Sequence, residues 1–226
     1  MVYKNFKNNN MNKNQKYLAV IPARGGSTRL PRKNLRMMLD KPLIAWTSES
    51  AKKSKLLDRI IVSTDDEEIK KIALEYDVEI HHRTPELASE LSLVIDTLFD
   101  VSQKNPGFNI LCLNPTTPVR QKGLIDKCIR IFDDKKYDAV ASGIIVKLVP
   151  WPTTSMKRTQ DMDGFFIDNG GVFVYRESLI AKKTILSQNS GKVLVDKEEN
   201  VDIDDEFDFK ITSFILKNRI QQGLQE

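Results

Sequence analysis

The sequence predicts a three-layer α/β fold, a mainly parallel sheet with helices on both faces. Three observations predict it. Short, wholly apolar runs recur where strands buried on both faces would lie. Between them stand segments with apolar residues three and four apart, the period of an amphipathic helix. The two kinds alternate through short connections, which implies right-handed crossovers and parallel neighbours.

Each element follows in order. YLAVI (17–21) is the first buried strand, and PARGGSTRLPRKN after it is a loop punctuated by Pro and a Gly pair. Pro42 suits the first turn of a helix that runs to about Ser54. RIIVST (59–64) is the second strand. Asp65–Tyr76 is a helix whose face carries Ile69, Ile72, Ala73 and Tyr76, and Val78–Ile80 a brief strand. Leu91, Val94, Ile95, Leu98 and Val101 mark an amphipathic helix, followed by a strand at Ile110–Leu113. Leu124, Ile125, Cys128, Ile131 and Phe132 form the face of another helix, and Asp138–Val146 reads as a strand. The pattern then breaks. Residues 147–168 are rich in Pro and Thr with exposed apolar types, and read as a β-rich excursion needing a partner surface. Trp151, between two prolines, suits a contact between subunits. A strand at Gly171–Tyr175 and a helix from about Asp205 to Ile220 complete the chain.

Composition excludes several classes of protein. With 40% hydrophobic and 29% charged residues in 226, the chain is that of an ordinary globular protein. No run approaches the length of a membrane span, and the basic start lacks the apolar stretch of a signal peptide, so neither membrane nor export is expected. Cys112 and Cys128 with His81 and His82 make no convincing zinc set, and unpaired cysteines suit the cytoplasm. All four read as core or strand-end residues. The net charge of +4 raises nucleic acid as a partner, but its distribution argues against it. Lys4, Lys7, Lys13 and Lys16 lie in residues 1–16 without an acid, leaving 31 cations and 31 acids in residues 17–226. Residues 1–16 are expected to be a disordered basic tail, with Met11 a second possible start, and 17–226 a single folded domain.

Within the balanced body, charge is segregated. Residues 24–36 hold Arg24, Arg29, Arg32, Lys33 and Arg36 and no acid. A Gly-Gly-Ser turn after a strand lets backbone N–H groups approach phosphates, and such cations neutralise a polyphosphate. The segment matches neither GxxxxGK[ST] nor GxGxxG. Ligands in open α/β sheets bind beyond the carboxyl ends of the strands, so the loops after Ile21, Thr64 and Leu113 should line the site. Residues 196–208 hold eight acids against Lys197. Asp202 and Asp204, two apart, would share a face in extended chain and could hold one hard cation together. Equally, Asp204 or Asp205 could cap the final helix.

IPARGGSTRLPRKN (21–34) resembles the opening signature of the cytidylyltransferases that activate acidic sugars, above all the CMP-sialic acid synthetases. IIVSTDDEEI (60–69), RTPELAS (83–89), NPTTPVR (114–120), TQD (159–161), NGGVFVY (169–175) and NVDIDDEFDF (200–209) resemble later segments of that family, in order. The resemblance implies a Rossmann-like fold of the nucleotide-diphospho-sugar-transferase type. It also implies a homodimer in which residues 147–168 reach across to the partner as a dimerisation arm. It implies transfer of CMP from CTP to the anomeric hydroxyl of a 2-keto-3-deoxy sugar acid, with Mg²⁺ as cofactor and release of pyrophosphate. By the same resemblance Ala23, Arg24, Gly25, Gly26, Ser27, Lys33, Asn34 and Arg83 bind the nucleotide, Asn34 meeting the cytosine. Asn114, Gln160 and Asn169 face the sugar, and Asp202 and Asp204 hold the metal. Arg24, Lys33, Asp202 and Asp204 would carry the catalysis.

The chain departs from the family pattern mainly on the sugar side. Asn114 stands where Gln is usual, Thr159 where Arg is usual with Arg158 beside it, and Leu93 where a Ser is expected, with Ser92 adjacent. A related nonulosonate such as a legionaminate or pseudaminate therefore fits as well as sialic acid. Alternatives on the same fold are a Kdo-type CTP enzyme or one using UTP or GTP with a sugar phosphate, although Lys33-Asn34 disfavours the latter.

Overall fold

The apolar run after Lys16 becomes a central strand of a seven-stranded sheet in a computed structural model that describes residues 15–149, 152 and 158–225. Strand β1 (Lys16–Pro22) leads through a loop and a short 3-10 turn (Lys33–Leu35) into a small hairpin, β2 (Met37–Met38) and β3 (Lys41–Pro42). Helix α1 (Leu43–Lys53), β4 (Arg59–Thr64), α2 (Glu67–Glu75) and β5 (Glu79–His82) follow. A single-turn helix α3 (Pro85–Ala88) precedes α4 (Val94–Lys104), β6 (Phe108–Cys112), α5 (Leu124–Lys135) and β7 (Ala139–Val146). The chain returns as β8 (Phe165–Tyr175) and ends with α6 (Glu177–Ile180), β9 (Ser190–Leu194) and α7 (Glu206–Gln221).

Strand order is β5-β4-β1-β6-β8-β7-β9. Strand β8 runs antiparallel to both its neighbours, and the other pairs are parallel. Alternation along the strands divides the core. Ala19, Ile21, Val62 and Leu111 join one cluster with α5 residues Ile125, Cys128 and Phe132. Leu18, Val20, Ile61 and Ile110 join another with α4 residues Leu98 and Val101. A third cluster sets the site: Leu30, Met38, Leu43, Trp46 and Val119 pack with Ile203, Phe209 and Leu216. It draws the basic loop after β1 and the acidic segment before α7 onto one small core.

Several boundaries differ from expectation. Helix α4 starts at Val94, because the Asp96 carboxylate accepts the Leu93 N–H at 2.8 Å; Leu91 is 92% exposed. Asp66, not Asp65, caps α2 by accepting from the N–H groups of Glu68 and Ile69. Strand β8 begins six residues before Gly171, pairing Phe165–Asp168 with Gly143–Val146, so the base of the excursion is a two-stranded ladder. The hairpin β2–β3, the short helices α3 and α6, and edge strand β9 are additions. Lys16 belongs to β1, and Gln15 accepts from Asn109 Nδ2 at 2.9 Å, so the described body starts two residues before Tyr17. The rest of the basic tail, Trp151 and most of the arm between 150 and 157 lie outside the described residues. No helix among the described residues is long and apolar enough to cross a membrane.

Candidate active site

The loops beyond β1, β5 and β6 meet around a cleft of about 360 Å³ at the carboxyl ends of the parallel strands. Ala23 fixes the start of the phosphate-type loop, its N–H donating to Ser63 O at 2.9 Å. Gly25 follows in contact with α2: its N–H donates to Asp65 Oδ1 at 2.9 Å, and a Cβ there would stand 2.7 Å from Asp66 Oδ2. Gly26 faces open space, and it lines the cleft with Arg24, Ser27, Lys33 and Asn34. Asn34 is buried, and its Nδ2 donates to Arg24 O at 3.1 Å, tying the end of the loop to its beginning.

The five cations of this loop are sorted. Arg32 pairs with Asp66 and Glu68, Arg36 with Glu206, and Arg29 with Asp204. Three therefore hold the loop to the N-terminal ends of α2 and α7. Among the described residues Arg24 donates only to a backbone oxygen, Ser89 O at 3.2 Å, and it lines the cleft. Lys33 is partly buried, donating to Ile203 O at 2.5 Å with Asp204 Oδ1 at 3.8 Å. Burial pulls its pKa down, and Asp204 and Asp202 oppose that. Arg83 lines the cleft from β5; burial lowers it to about 10, which leaves it a cation at neutral pH.

The acidic segment is irregular chain rather than strand, yet Ile203 is buried and its N–H donates to Thr116 O at 3.0 Å. This leaves Asp202 and Asp204 flanking an anchored residue beside the cleft wall. Asp202 keeps solvent-exposed surface, but the protein around its carboxyl raises the pKa, with a Thr116 hydrogen bond opposing and the Asp204 charge adding. Two mutually repelling carboxylates suit a hard divalent cation whose other ligands are phosphate oxygens and water. Among the described residues no group of three His, Cys, Asp or Glu could hold a metal by itself. Asp205 caps α7, accepting from Phe207 N and Asp208 N at 2.8 and 3.0 Å.

Of the residues expected to face a sugar, Asn114 borders the cleft with Pro115 and Thr116. Arg120, fully buried, holds that turn, donating to Asn114 O at 2.7 Å, Thr47 Oγ1 at 2.8 Å and Gly171 O at 3.0 Å. Asn169 and Gln160 are not brought to the cleft wall of this chain. Asn169 is 5% exposed, and its amide is engaged inside: Oδ1 accepts from Ser142 Oγ at 2.7 Å, and Nδ2 donates to Glu199 O at 2.8 Å. Gln160 is exposed on a 3-10 turn, its carbonyl accepting from Lys147. Sequence reasoning missed Arg120 as a site-builder, although the NPTTPVR motif contains it. It also missed Ser63, His81 and Asp100 behind Arg83. Strand register reveals Ser63 and His81, and the packing of α4 on the sheet reveals Asp100.

An open α/β sheet with a glycine-bearing cationic loop beyond its first strand suits a nucleotidyltransferase, and a family match makes the chain one. The particular family is equally plain: the cytidylyltransferase family model matches residues 18–209, and the chain belongs to that family, alongside the acylneuraminate cytidylyltransferases. It is 30% identical over 222 residues to the CMP-N,N'-diacetyllegionaminic acid synthase of Legionella pneumophila, which covers 88% of this chain and 96% of that protein. It is 28% identical over 210 residues to N-acylneuraminate cytidylyltransferase A of Danio rerio, covering 85% of this chain and 49% of that one. For the Escherichia coli N-acylneuraminate cytidylyltransferase the values are 29% over 226 residues, 92% and 54%. The chain thus spans about half the length of those two relatives. A solved CMP:2-keto-3-deoxy-manno-octonic acid synthetase, complexed with CTP, shares the fold with a TM-score of 0.72 at 15% identity, covering 91% of this chain and 100% of that one.

Proposed function

We propose that the protein transfers CMP from CTP to the anomeric hydroxyl of a 2-keto-3-deoxy sugar acid of the nonulosonate class. The observation that carries this reading is the make-up of the cleft wall: Arg24, Ser27, Lys33, Asn34 and Arg83 line one cleft together with the Asn114–Thr116 turn. The near full-length match to a legionaminic acid synthase supports the sugar class. The hydroxyl oxygen gives its proton up to solvent and bonds to the α-phosphorus in line as the bond from that phosphorus to the bridging oxygen breaks and pyrophosphate leaves. Arg24, Lys33 and the loop N–H groups stabilise the charge that develops there, which is most of what such a transfer requires. Asp202 and Asp204 would hold Mg²⁺, which when bound neutralises phosphate charge as a Lewis acid.

Pyrophosphate release with CTP across a panel of sugar acids tests the reading. Release with sialic, legionaminic or pseudaminic acid supports it; release only with a Kdo-type acid moves the substrate to the alternative. Thermal shift with CTP, UTP, GTP and ATP tests the base, and a preference for UTP or GTP rejects it. A homodimer joined through residues 147–168 belongs to the same proposal. Monomeric sedimentation at micromolar concentration would remove it. Cytoplasmic residence, suited to the free Cys112 and Cys128, is checked by cell fractionation.

A further inference from the structure

A line of four side chains runs from α4 to the cleft through the interior. Asp100 Oδ2 lies 2.6 Å from His81 Nε2, His81 Nδ1 lies 2.9 Å from Ser63 Oγ, and Arg83 Nε lies 3.0 Å from Ser63 Oγ. Ser63, Arg83 and His81 are 0%, 6% and 7% exposed. The register of β4 on β5 sets Ser63 opposite His81. Arg83, the first residue past β5, is pinned by its own N–H to Thr64 O at 2.9 Å.

Donor chemistry gives the line one direction. Arg83 Nε has only a proton to give, so Ser63 Oγ accepts. The Asp100 carboxylate only accepts, so the imidazole proton stands on Nε2 and leaves Nδ1 a lone pair. The Ser63 hydroxyl therefore donates to Nδ1. Lys104 also approaches Nε2, at 3.3 Å, but its shorter contact of 2.7 Å is to Asp100, so it balances the carboxylate. Among the described residues Ser63 alone takes a hydrogen bond from the Arg83 side chain; its remaining N–H groups are left for the cleft that Arg83 lines.

We infer that Ser63 and His81 are positioning residues for Arg83, with Asp100 fixing the histidine tautomer, and that together they aim the guanidinium at the nucleotide. This rests on the reading of Arg83 as a nucleotide contact. The arrangement is sensitive to acid. A second proton on His81 would sit on Nδ1 and face Ser63 Oγ, which would then accept from both sides with its own proton stranded in the interior. The charged groups facing His81 are Asp100 and Lys104 from α4 and Arg83 beyond β5; β4 presents the neutral Ser63. Burial outweighs the Asp100 contact and lowers the histidine pKa, so the neutral form serves at neutral pH.

The test is steady-state kinetics of the full chain with CTP and Mg²⁺ from pH 5 to 8, on Ser63→Ala, His81→Asn, Arg83→Ala and the double variant of Ser63 and Arg83. Ser63→Ala is expected to raise KM for CTP about tenfold with kcat little changed, the scale of one hydrogen bond to a charged group. The double variant should lose no more than Arg83→Ala alone. In the parent, KM should rise as pH falls below the ordinary histidine range. His81→Asn keeps an acceptor near the Nδ1 position without titrating, so it should hold affinity at pH 7 and lose that acid limb. The inference is overturned if Ser63→Ala leaves KM unchanged while Arg83→Ala raises it, or if the acid limb persists in His81→Asn. An unchanged KM in Arg83→Ala would remove the nucleotide reading of Arg83 and this inference with it. Should Ser63→Ala not fold, the pH profile of His81→Asn decides.

Discussion

Arg29 and Asp204, 175 positions apart, meet in a forked ion pair, Nη1 to Oδ2 at 2.9 Å and Nη2 to Oδ1 at 2.7 Å. The pair links the basic loop to the acidic segment, with Lys33 behind it. Its side chains are 69% and 43% exposed, so solvent screens the attraction. Arg29→Ala should therefore cost only about 0.2–1 kcal/mol, and less at high salt. Urea unfolding at two salt concentrations measures this. A loss well above that range would show that the pair organises the loop rather than resting on it.

Asp202 carries the opposite sign. Its pKa is raised, so the fold disfavours its ionised form, and the folded state binds its proton more readily than the unfolded chain does. Between the unfolded carboxylate pKa and the raised folded value, this group's contribution improves as pH falls and is lost as pH rises. At neutral pH it is a net cost. Asp202→Asn keeps the shape and removes the charge, so its thermal midpoint should rise while Mg²⁺-dependent turnover falls steeply. A lowered midpoint would contradict the stability argument, and full activity would remove Asp202 from the metal set.

What could be read from the sequence follows burial. Strands β1, β4 and β6 are covered on both faces and so carry apolar centres, Leu18–Ile21, Ile60–Val62 and Ile110–Leu111, which mark them as strands. Strand β9 lies at the edge, burying only Gly191 and Val193 and turning Ser190, Lys192 and Leu194 outward, too little to register as a strand. Leu91 continues the helical spacing of Val94, Ile95 and Leu98 without being helical, because the Asp96 cap decides where α4 starts. The glycine-bearing cationic loop was legible because its glycines and cations are local in sequence. The support of Arg83 was not, since Ser63, His81 and Asp100 acquire meaning only through register and packing. Asn169 shows the converse: a polar residue in a motif that resembles a substrate contact spends its amide on Ser142 and Glu199.

Gly25 and Gly26 should separate folding from binding. A methyl at Gly25 would meet Asp66 Oδ2 at 2.7 Å and Asp66 Cβ at 2.9 Å. Asp66 caps α2 and pairs with Arg32, so displacing it loosens both. Gly25→Ala is expected to cost roughly 1–2 kcal/mol, the value of an N-cap, in denaturant unfolding. A methyl at Gly26 meets nothing within 4 Å, yet it would project where the loop lines the cleft. Gly26→Ala should keep parental stability and weaken CTP binding, read as a reduced thermal shift with nucleotide. Equal CTP shifts in parent and Gly26→Ala would show that phosphates do not approach the loop there.

Arg120 makes the strongest structural demand near the site. One guanidinium reaches Asn114 O on the cleft turn, Thr47 on α1 and Gly171 O on β8, three partners whose separation matches a rigid fork. Arg120→Met fills similar volume but strips these groups of a charged donor, so a loss of roughly 1–3 kcal/mol is expected in urea unfolding. Arg120→Lys keeps the charge, but a single ammonium cannot span the three partners and leaves a buried cation with fewer bonds. It should therefore be no more stable than Arg120→Met. Because the Asn114–Thr116 turn lines the cleft and is the part read as facing the sugar, both variants should raise KM for the sugar acid more than KM for CTP. Recovery of parental stability by Arg120→Lys would show that charge alone, and not the fork, holds the turn in place.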